Sequence, residues 1–297
     1  MNLLHKVEEA MMQYGGSSRR SIGDFILKEK NDLHKYSLQE IAGQTYTSKA
    51  AVVRFAQALG FSGWKEFVKA FTEEQSYQAQ HYSNIDANFP FTKDSRRKDI
   101  INQLCSLQVE SLLDTADLLN EAPLDECAAL LLGSRRVAMF GLNPNFALAE
   151  LFKRKMLSIG RQVELPSQGD VGLLAHSLDK YDCAVIISYS GNSPTTGALS
   201  VLPTLKQRNV PIIGITSVGD NLLRQKADYT LSISSYERLY SKISTFGTEN
   251  SILFILNVLF SICFAADYDA NLERKIGTAR ELDSTRRVTN EQALKET

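Results

Sequence analysis

Ser188-Tyr189-Ser190-Gly191-Asn192-Ser193-Pro194 follows directly on the apolar run Ala184-Val185-Ile186-Ile187. A short apolar run bounded by turn residues reads as a buried strand, and this one delivers three serine hydroxyls and a glycine into a turn. Ser193 suits an N-cap and Pro194 the first helical position, where a missing N–H leaves no intrahelical bond unmade, so the spacing predicts a helix start here. Backbone N–H groups at a helix N-terminus, joined by the Ser188, Ser190 and Ser193 hydroxyls, form a neutral cradle for phosphate. The same spacing also suits an ordinary polar β-α turn.

Outward from this stretch the chain alternates. Strands are expected at 137–141, 162–165, 183–188, 211–216 and 229–233, with helices at 146–159, 171–178, 194–206 and 221–225. Such alternation implies a five-stranded parallel sheet flanked by helices on both faces. In these folds ligands sit beyond the carboxyl ends of the strands, at a topological switch point. The loops at 141–145 and 188–193 and the pair Thr216-Ser217 are all strand ends, so they can converge.

Residues 1 to about 75 instead read as short helices without a strand. Leu3, Leu4, Val7, Ala10 and Met11 form one apolar stripe and Ile22, Phe25 and Ile26 another. Ser37 and Glu40 have capping-box spacing ahead of Ile41-Ala42. That helix should end near Gly43-Gln44. A second, capped by Thr47 or Ser48, buries Val52, Phe55, Ala56 and Leu59 and closes at Gly60, and a further helix is expected at 63–73.

Two short helices joined by a tight turn form a helix-turn-helix, whose second helix presents its N-terminal residues to base edges in the major groove. Thr47, Ser48, Lys49, Ala50 and Arg54 are the expected reading set, with Arg19, Arg20, Lys65 and Lys69 as candidate phosphate contacts. Residues 1–78 hold ten basic and nine acidic side chains, but 45–62 holds Lys49 and Arg54 and no acid. The bland reading is an all-helical interaction module with a solvated charged face.

Residues 77–98 are polar, include Pro90 and read as a linker whose aromatics Tyr77, Tyr82, Phe89 and Phe91 lie partly against a surface. A long amphipathic helix is expected at 99–120. The apolar segment 251–266 carries Asn257 and is shorter than the roughly 20 residues needed to span a bilayer, so a buried helix is expected. Residues 271–297 read as an oligomer-contact helix or a tail. The domains are therefore expected at 1–76, 99–270 and, as that terminal segment, 271–297.

The 297 residues suit two domains, and a formal net charge of -1 gives no whole-chain polyelectrolyte signal. Cys105, Cys127, Cys183 and Cys263 form no C-x-x-C pair and read as small core residues in a reducing compartment. The N-terminus is amphipathic without a cleavage signal, and a cytoplasmic location is expected. No cofactor or metal is expected: 141–146 lacks the later glycines of G-x-G-x-x-G, no phosphate-binding G-x-x-x-x-G-K-[ST] occurs, and structural zinc lacks its ligands.

The order helix-turn-helix, linker, then strand followed by S-x-S-G-x-S resembles the RpiR family of bacterial transcription regulators, whose second domain is a sugar isomerase (SIS) domain. The resemblance rests on residues 48–60, on Phe61-Ser62-Gly63-Trp64-Lys65-Glu66-Phe67, and on 188–193. Family members usually have threonine where Ser193 stands, and often G-x-G-x-S where this chain has Gly141-Leu142-Asn143-Pro144-Asn145.

The resemblance implies an all-α helix-turn-helix domain joined to an α/β SIS domain, binding operator DNA under control of a phosphorylated sugar or amino sugar. It implies a homodimer or homotetramer without a membrane partner. Candidate ligand residues are Ser188, Ser190, Gly191, Asn192 and Ser193, with Asn145, Thr216, Ser217 and Glu249 beside them. The alternatives are an aldose-ketose isomerase, for which His176 and Glu249 are the available groups, and a SIS domain that only dimerises.

Overall fold

The computed structural model describes residues 3, 6–7, 10–11, 17–81, 85–167, 169–192, 197–234 and 236–282, with backbone alone at 76–81. They form two compact units. The first is drawn from 1–116, 217–219 and 234–250, the second from 117–216, 220–233 and 251–297.

In the first unit, helices α1 (Ser17–Lys28), α2 (Leu38–Gln44), α3 (Lys49–Ala58) and α4 (Trp64–His81) pack around Val7, Ile22, Ile26, Leu33, Ile41, Val52, Phe55, Phe67 and Phe71. Every apolar position of the expected stripes that the structure describes, from Leu3 to Leu59, is buried or packed against this core. The capping box forms: the Glu40 N–H donates to Ser37 Oγ (3.3 Å) and the Ser37 N–H to Glu40 Oε2 (2.7 Å).

The end of α2 carries an informative bond pair. The Thr47 N–H donates to the Ala42 carbonyl (2.9 Å) and the Tyr46 N–H to the Gly43 carbonyl (3.3 Å). This is the six-to-one, five-to-two pattern of a Schellman motif, which sets the intervening residue left-handed. Here that residue is Tyr46, at φ 52°. The same motif closes α3, with Phe61 donating to Ala56 (3.2 Å), Gly60 to Gln57 (3.0 Å), and glycine in the left-handed position at φ 94°.

Helix α4 continues to His81, beyond the expected 63–73 and into the stretch read as a linker. No glycine or proline interrupts 64–81, so nothing in the chain stops it. Farther on, Asn88 is buried: its carbonyl accepts the Ile243 N–H (2.9 Å) and its Oδ1 the Arg238 N–H (2.6 Å). Phe91 stacks near Phe246, with ring centroids 6.4 Å apart, whereas Phe89 is exposed. The Tyr77 and Tyr82 side chains lie outside the described residues. Helix α5 (Arg97–Leu118) covers the expected range, but the expected apolar face is not the buried one: Ile101 and Leu113 are exposed, and Glu110, Ser111, Asp114 and Thr115 are buried beside Leu107.

The second unit opens with α6 (Glu121–Gly133), which the sequence reading did not anticipate. Pro123 argues against a helix interior, but it falls in the first turn, where no intrahelical N–H bond is lost. The elements then alternate: β1 (Val137–Phe140), α7 (Asn145–Leu157), β2 (Val163–Glu164), α8 (Val171–Ser177), β3 (Cys183–Ile187), α9 (Leu202–Gln207), β4 (Ile212–Ser217), α10 (Leu222–Lys226) and β5 (Tyr229–Ile233). Strand order is β2-β1-β3-β4-β5, with parallel register Val137↔Cys183 and Ala184↔Ile212.

Both faces are covered. Met139, Val185 and Ile213 point to one apolar cluster, with α6, α7 and α11 (Phe246–Ala265), and Ala138, Ile186 and Ile212 to the other, with α8, α9 and α10. By length and composition α11 would pass as a membrane span, but Ile252, Ile255, Leu256, Leu259 and Cys263 are buried in the first of these clusters. Helix α12 (Tyr268–Leu282) follows, anchored by buried Asn271, whose Nδ2 donates to the Phe264 carbonyl (3.0 Å).

Two expectations are corrected. The helix expected at 194–206 is a 3-10 turn at Gly197–Val201 followed by the short α9, and its expected start at Ser193-Pro194 lies outside the described residues. Gly197 is left-handed at φ 71°, and Pro203 has no N–H for the Leu199 carbonyl, so one continuous α-helix is not available. Of the cysteines expected in the core, Cys105 is exposed on the outer face of α5. The other three are buried, and burial pushes the Cys127 thiol up to about 12 and Cys263 to about 11.

Candidate functional site: the serine loop and the helix-turn-helix

In the strand order 2-1-3-4-5 the direction of winding reverses between β1 and β3, the topological switch point at which folds of this kind bind ligands. The loop after β1 and the end of β3 approach there: a Cβ on Gly141 would lie 3.4 Å from the Asn145 Cβ and 3.7 Å from the Ile187 carbonyl oxygen. Ser188, Tyr189 and Ser190 leave β3 half-buried. Ser188 Oγ accepts the Gly191 N–H at 3.3 Å, and the Ser190 hydroxyl is bonded to no other described residue.

The loop is latched to its neighbour. The Gly191 carbonyl accepts the Leu223 N–H (3.0 Å) and Asn192 Oδ1 the Leu222 N–H (3.0 Å), so two donors at the start of α10 hold it. Asn221, 5% exposed, caps α10 by accepting the Arg224 N–H (2.9 Å) and donates through Nδ2 to Thr216 Oγ1 (3.3 Å). The Thr216 hydroxyl in turn donates to the Tyr189 carbonyl (3.3 Å). Gly191 is left-handed at φ 63° and lies against this pair: a Cβ there would come within 2.3 Å of Asn221 Oδ1 and 2.8 Å of Thr216 Oγ1.

Asn221 was not among the sequence candidates. Its local signal, an Asn ahead of Leu222-Leu223, marks a cap, but only the β3–β4 adjacency turns the cap into a support for the serine loop. Of the expected ligand residues, Ser188, Ser190, Gly191, Asn192, Asn145 and Thr216 belong to the second unit. Ser217 and Glu249 belong to the first, and Ser193 lies outside the described residues. Glu249 accepts the Thr245 hydroxyl in the first turn of α11. That helix start is served by the buried Glu237 carboxylate, which takes the Gly247 and Thr248 N–H groups (2.6 and 3.1 Å). A cavity of about 540 Å³ beside β2, lined by Lys153, Leu157, Leu165, Pro166, Asp170 and Leu174 among others, shares no residue with the serine loop. Among the described residues no His, Cys, Asp or Glu group is arranged to hold a metal.

In the first unit, Ser48 Oγ accepts the Ala51 N–H (3.1 Å), so Ser48 is the cap that starts α3. Ser48, Lys49, Ala50 and Arg54 are exposed, and Thr47 is half-buried with its Oγ1 2.8 Å from Thr45 Oγ1. Lys49 Nζ donates to Gln39 Oε1 (3.0 Å), tying α3 to α2. Arg20 and Lys65 are exposed on α1 and α4, and Arg19 is half-buried.

The fold thus defines a helix-turn-helix module, an element of the kind that docks in the DNA major groove, on the same chain as a parallel α/β domain. Residues 1–78 match the family described as "Helix-turn-helix domain, rpiR family", and residues 130–255 match the SIS domain. An HTH-type transcriptional regulator of Haemophilus influenzae is 26% identical over 92% of this chain and 94% of its own length, and one of Clostridium perfringens 22% identical over 94% and 98%. Among solved structures, the Vibrio vulnificus NanR protein complexed with ManNAc-6P superposes with a TM-score of 0.59, at 19% identity, over 97% of this chain and all of that one. The sugar isomerase domain of an RpiR transcription factor from Sphaerobacter thermophilus reaches 0.52, at 16% identity, over 62% of this chain and 98% of that one. The chain is a transcriptional regulator of the RpiR family, with a helix-turn-helix and a SIS domain.

Proposed function

We propose that this regulator binds a phosphorylated sugar or amino sugar at the loop 188–193, and that the ligand controls its affinity for double-stranded operator DNA. One observation carries the reading: at the β1/β3 switch the hydroxyls of Ser188 and Ser190 are presented on a loop that Asn221, Thr216 and the start of α10 hold in place. Hydrogen bonds to a charged group contribute about 1.5–3 kcal/mol each, so two or three such donors suffice to hold a phosphate. The V. vulnificus NanR structure, with its bound ManNAc-6P, supports a phosphorylated amino sugar as one candidate.

The functional division is 1–76 for DNA, 77–98 as linker, 99–270 for the effector and 271–297 as a C-terminal helix or tail. Thr47, Ser48, Lys49, Ala50 and Arg54 read bases, with Arg19, Arg20 and Lys65 on phosphates; Asn145 and Thr216 flank the effector. The protein works in the cytoplasm, without a membrane, as a homodimer or homotetramer. Ligand closure of the serine loop alters the spacing of paired helix-turn-helix modules, for which half-sites about 34 Å apart make geometry decisive. A coupling of about 1–3 kcal/mol is enough for control. The protein turns over no substrate: His176 is exposed on α8, and Glu249 is engaged by Thr245.

A thermal-shift series on the full chain with ManNAc-6P and hexose phosphates tests this. Ligand at a hundred times its Kd should stabilise by about 2.7 kcal/mol, raising the midpoint by several degrees, and Ser190→Ala should lose the shift. A binding ligand that leaves DNA affinity unchanged would sink the control mechanism, and turnover of any of these sugars would replace it with catalysis.

A further inference from the structure

Tyr46 occupies the left-handed position of the Schellman motif that ends α2, and its side chain is 97% exposed. Both features are unfavourable for the fold alone. An aromatic side chain at positive φ is a steric outlier, since the β-carbon crowds the following carbonyl. The phenol hydroxyl is bonded to no other described residue, and the ring belongs to no buried cluster. The chain contains its own control: the identical motif at the end of α3 places glycine in this position. The backbone demand is the same at both helix ends, and only Gly60 meets it without strain.

The location is specific. Tyr46 lies two residues before the cap of α3, between α2 and the start of the exposed set Ser48, Lys49, Ala50. In a helix-turn-helix the first helix crosses the DNA backbone and the second enters the groove, so the turn between them passes the phosphates at the groove edge. Residues held in sparsely populated backbone conformations gather at binding sites, where the strain fixes a side chain in its working direction. We propose that Tyr46 is a DNA-contacting residue: the left-handed turn aims its phenol outward, and the hydroxyl donates to a backbone phosphate oxygen beside the groove read by α3. This rests on α3 being the reading helix.

The test uses duplexes enriched by the wild-type full chain from a randomised double-stranded pool. Tyr46→Gly should bind them at least tenfold more weakly while its unfolding midpoint stays level or rises. Tyr46→Phe should show most of the same loss. Because the phenol carries no charge, the slope of log K against log salt should not change in either variant. Tyr46→Gly binding within twofold of wild type would overturn the proposal, as would a midpoint that falls together with the affinity, since the tyrosine would then serve the fold. Failure of the wild-type chain to enrich any duplex would instead overturn the assignment of α3 as a DNA reader, and this proposal with it.

Discussion

The chain passes through the left-handed region at Tyr46 in the helix-turn-helix and at Gly191 in the serine loop, and the surroundings of the two turns are opposite. Around Gly191 space is fully used: the Asn221 carboxamide and the Thr216 hydroxyl stand where a β-carbon would go, and each is committed to further hydrogen bonds. Around Tyr46 space is open, and the side chain projects into solvent. Residue type at Gly191 is therefore explained by packing inside the fold. Residue type at Tyr46 is not, which moves its explanation outward to what the module binds.

The strongest way to break this contrast is Gly191→Ala. Left-handed strain costs about 1–3 kcal/mol and forcing an extra carbon against packed groups a similar amount, so about 2–6 kcal/mol of stability should be lost, with the ligand-induced thermal shift abolished. The loss should be smaller in an Asn221→Ala background, which removes the nearest clash but leaves Thr216 and the backbone strain. Chemical denaturation of the two single variants and the double variant measures that coupling. Strict additivity would mean that Asn221 does not confine the loop.

How much of this was readable in advance follows the range of each signal. Ser37 with Glu40, Ser48 and Gly60 act on residues three or four away, and all three are where the spacing puts them. The alternation of apolar runs was enough for the five strands and their layers. Tyr46 was invisible because glycine is the usual mark of a left-handed helix end. Helix α6 was hidden by Pro123, whose meaning depends on which turn it occupies. In the serine loop Ser188 and Ser190 stood out from their spacing, while the latch through Asn221 joins residues about thirty positions apart that become neighbours only when β3 and β4 pair.

Two carboxylates, Asp182 and Glu74, extend the contrast between the two units and give it opposite pH signatures. Asp182 in the second unit is fully buried and receives Arg135 Nε and Nη2 (3.0 and 2.9 Å), Arg136 Nη2 (2.9 Å) and the Asp179 N–H (2.9 Å). Against the penalty of burial, these donors hold its carboxyl well below the ordinary carboxylate range. Its contribution is therefore complete above pH 3.8 and is lost only as the solution becomes more acidic than that. Glu74 in the first unit accepts the Leu3 N–H at 2.9 Å, but burial outweighs this and pushes it up from 4.5 to about 7. Its folded state favours the proton, so that stability is present below pH 4.5 and lost as pH rises through about 7. Trp64 is the chain's one tryptophan and is buried in the first unit, so its fluorescence reports that unit. Unfolding followed this way should lose about 3 kcal/mol between pH 4.5 and 7, and Glu74→Gln should flatten the profile. A flat wild-type profile would remove this difference between the units.

The smallest effect bears most directly on Tyr46. At Gly60 a β-carbon would meet nothing within 4 Å, so Gly60→Ala adds backbone strain and no clash. The expected loss is about 1 kcal/mol by Trp64 fluorescence, well below that of Gly191→Ala. Because Gly60 and Tyr46 occupy the same place in the same motif, this variant measures the strain that Tyr46 carries. If alanine at 60 is tolerated without loss, the left-handed position is not unfavourable in this motif, and the reason for looking outside the fold to explain Tyr46 is reduced to its exposure. If the loss appears, Tyr46→Gly should return a stabilisation of similar size, so that stability and DNA affinity move in opposite directions at a single residue.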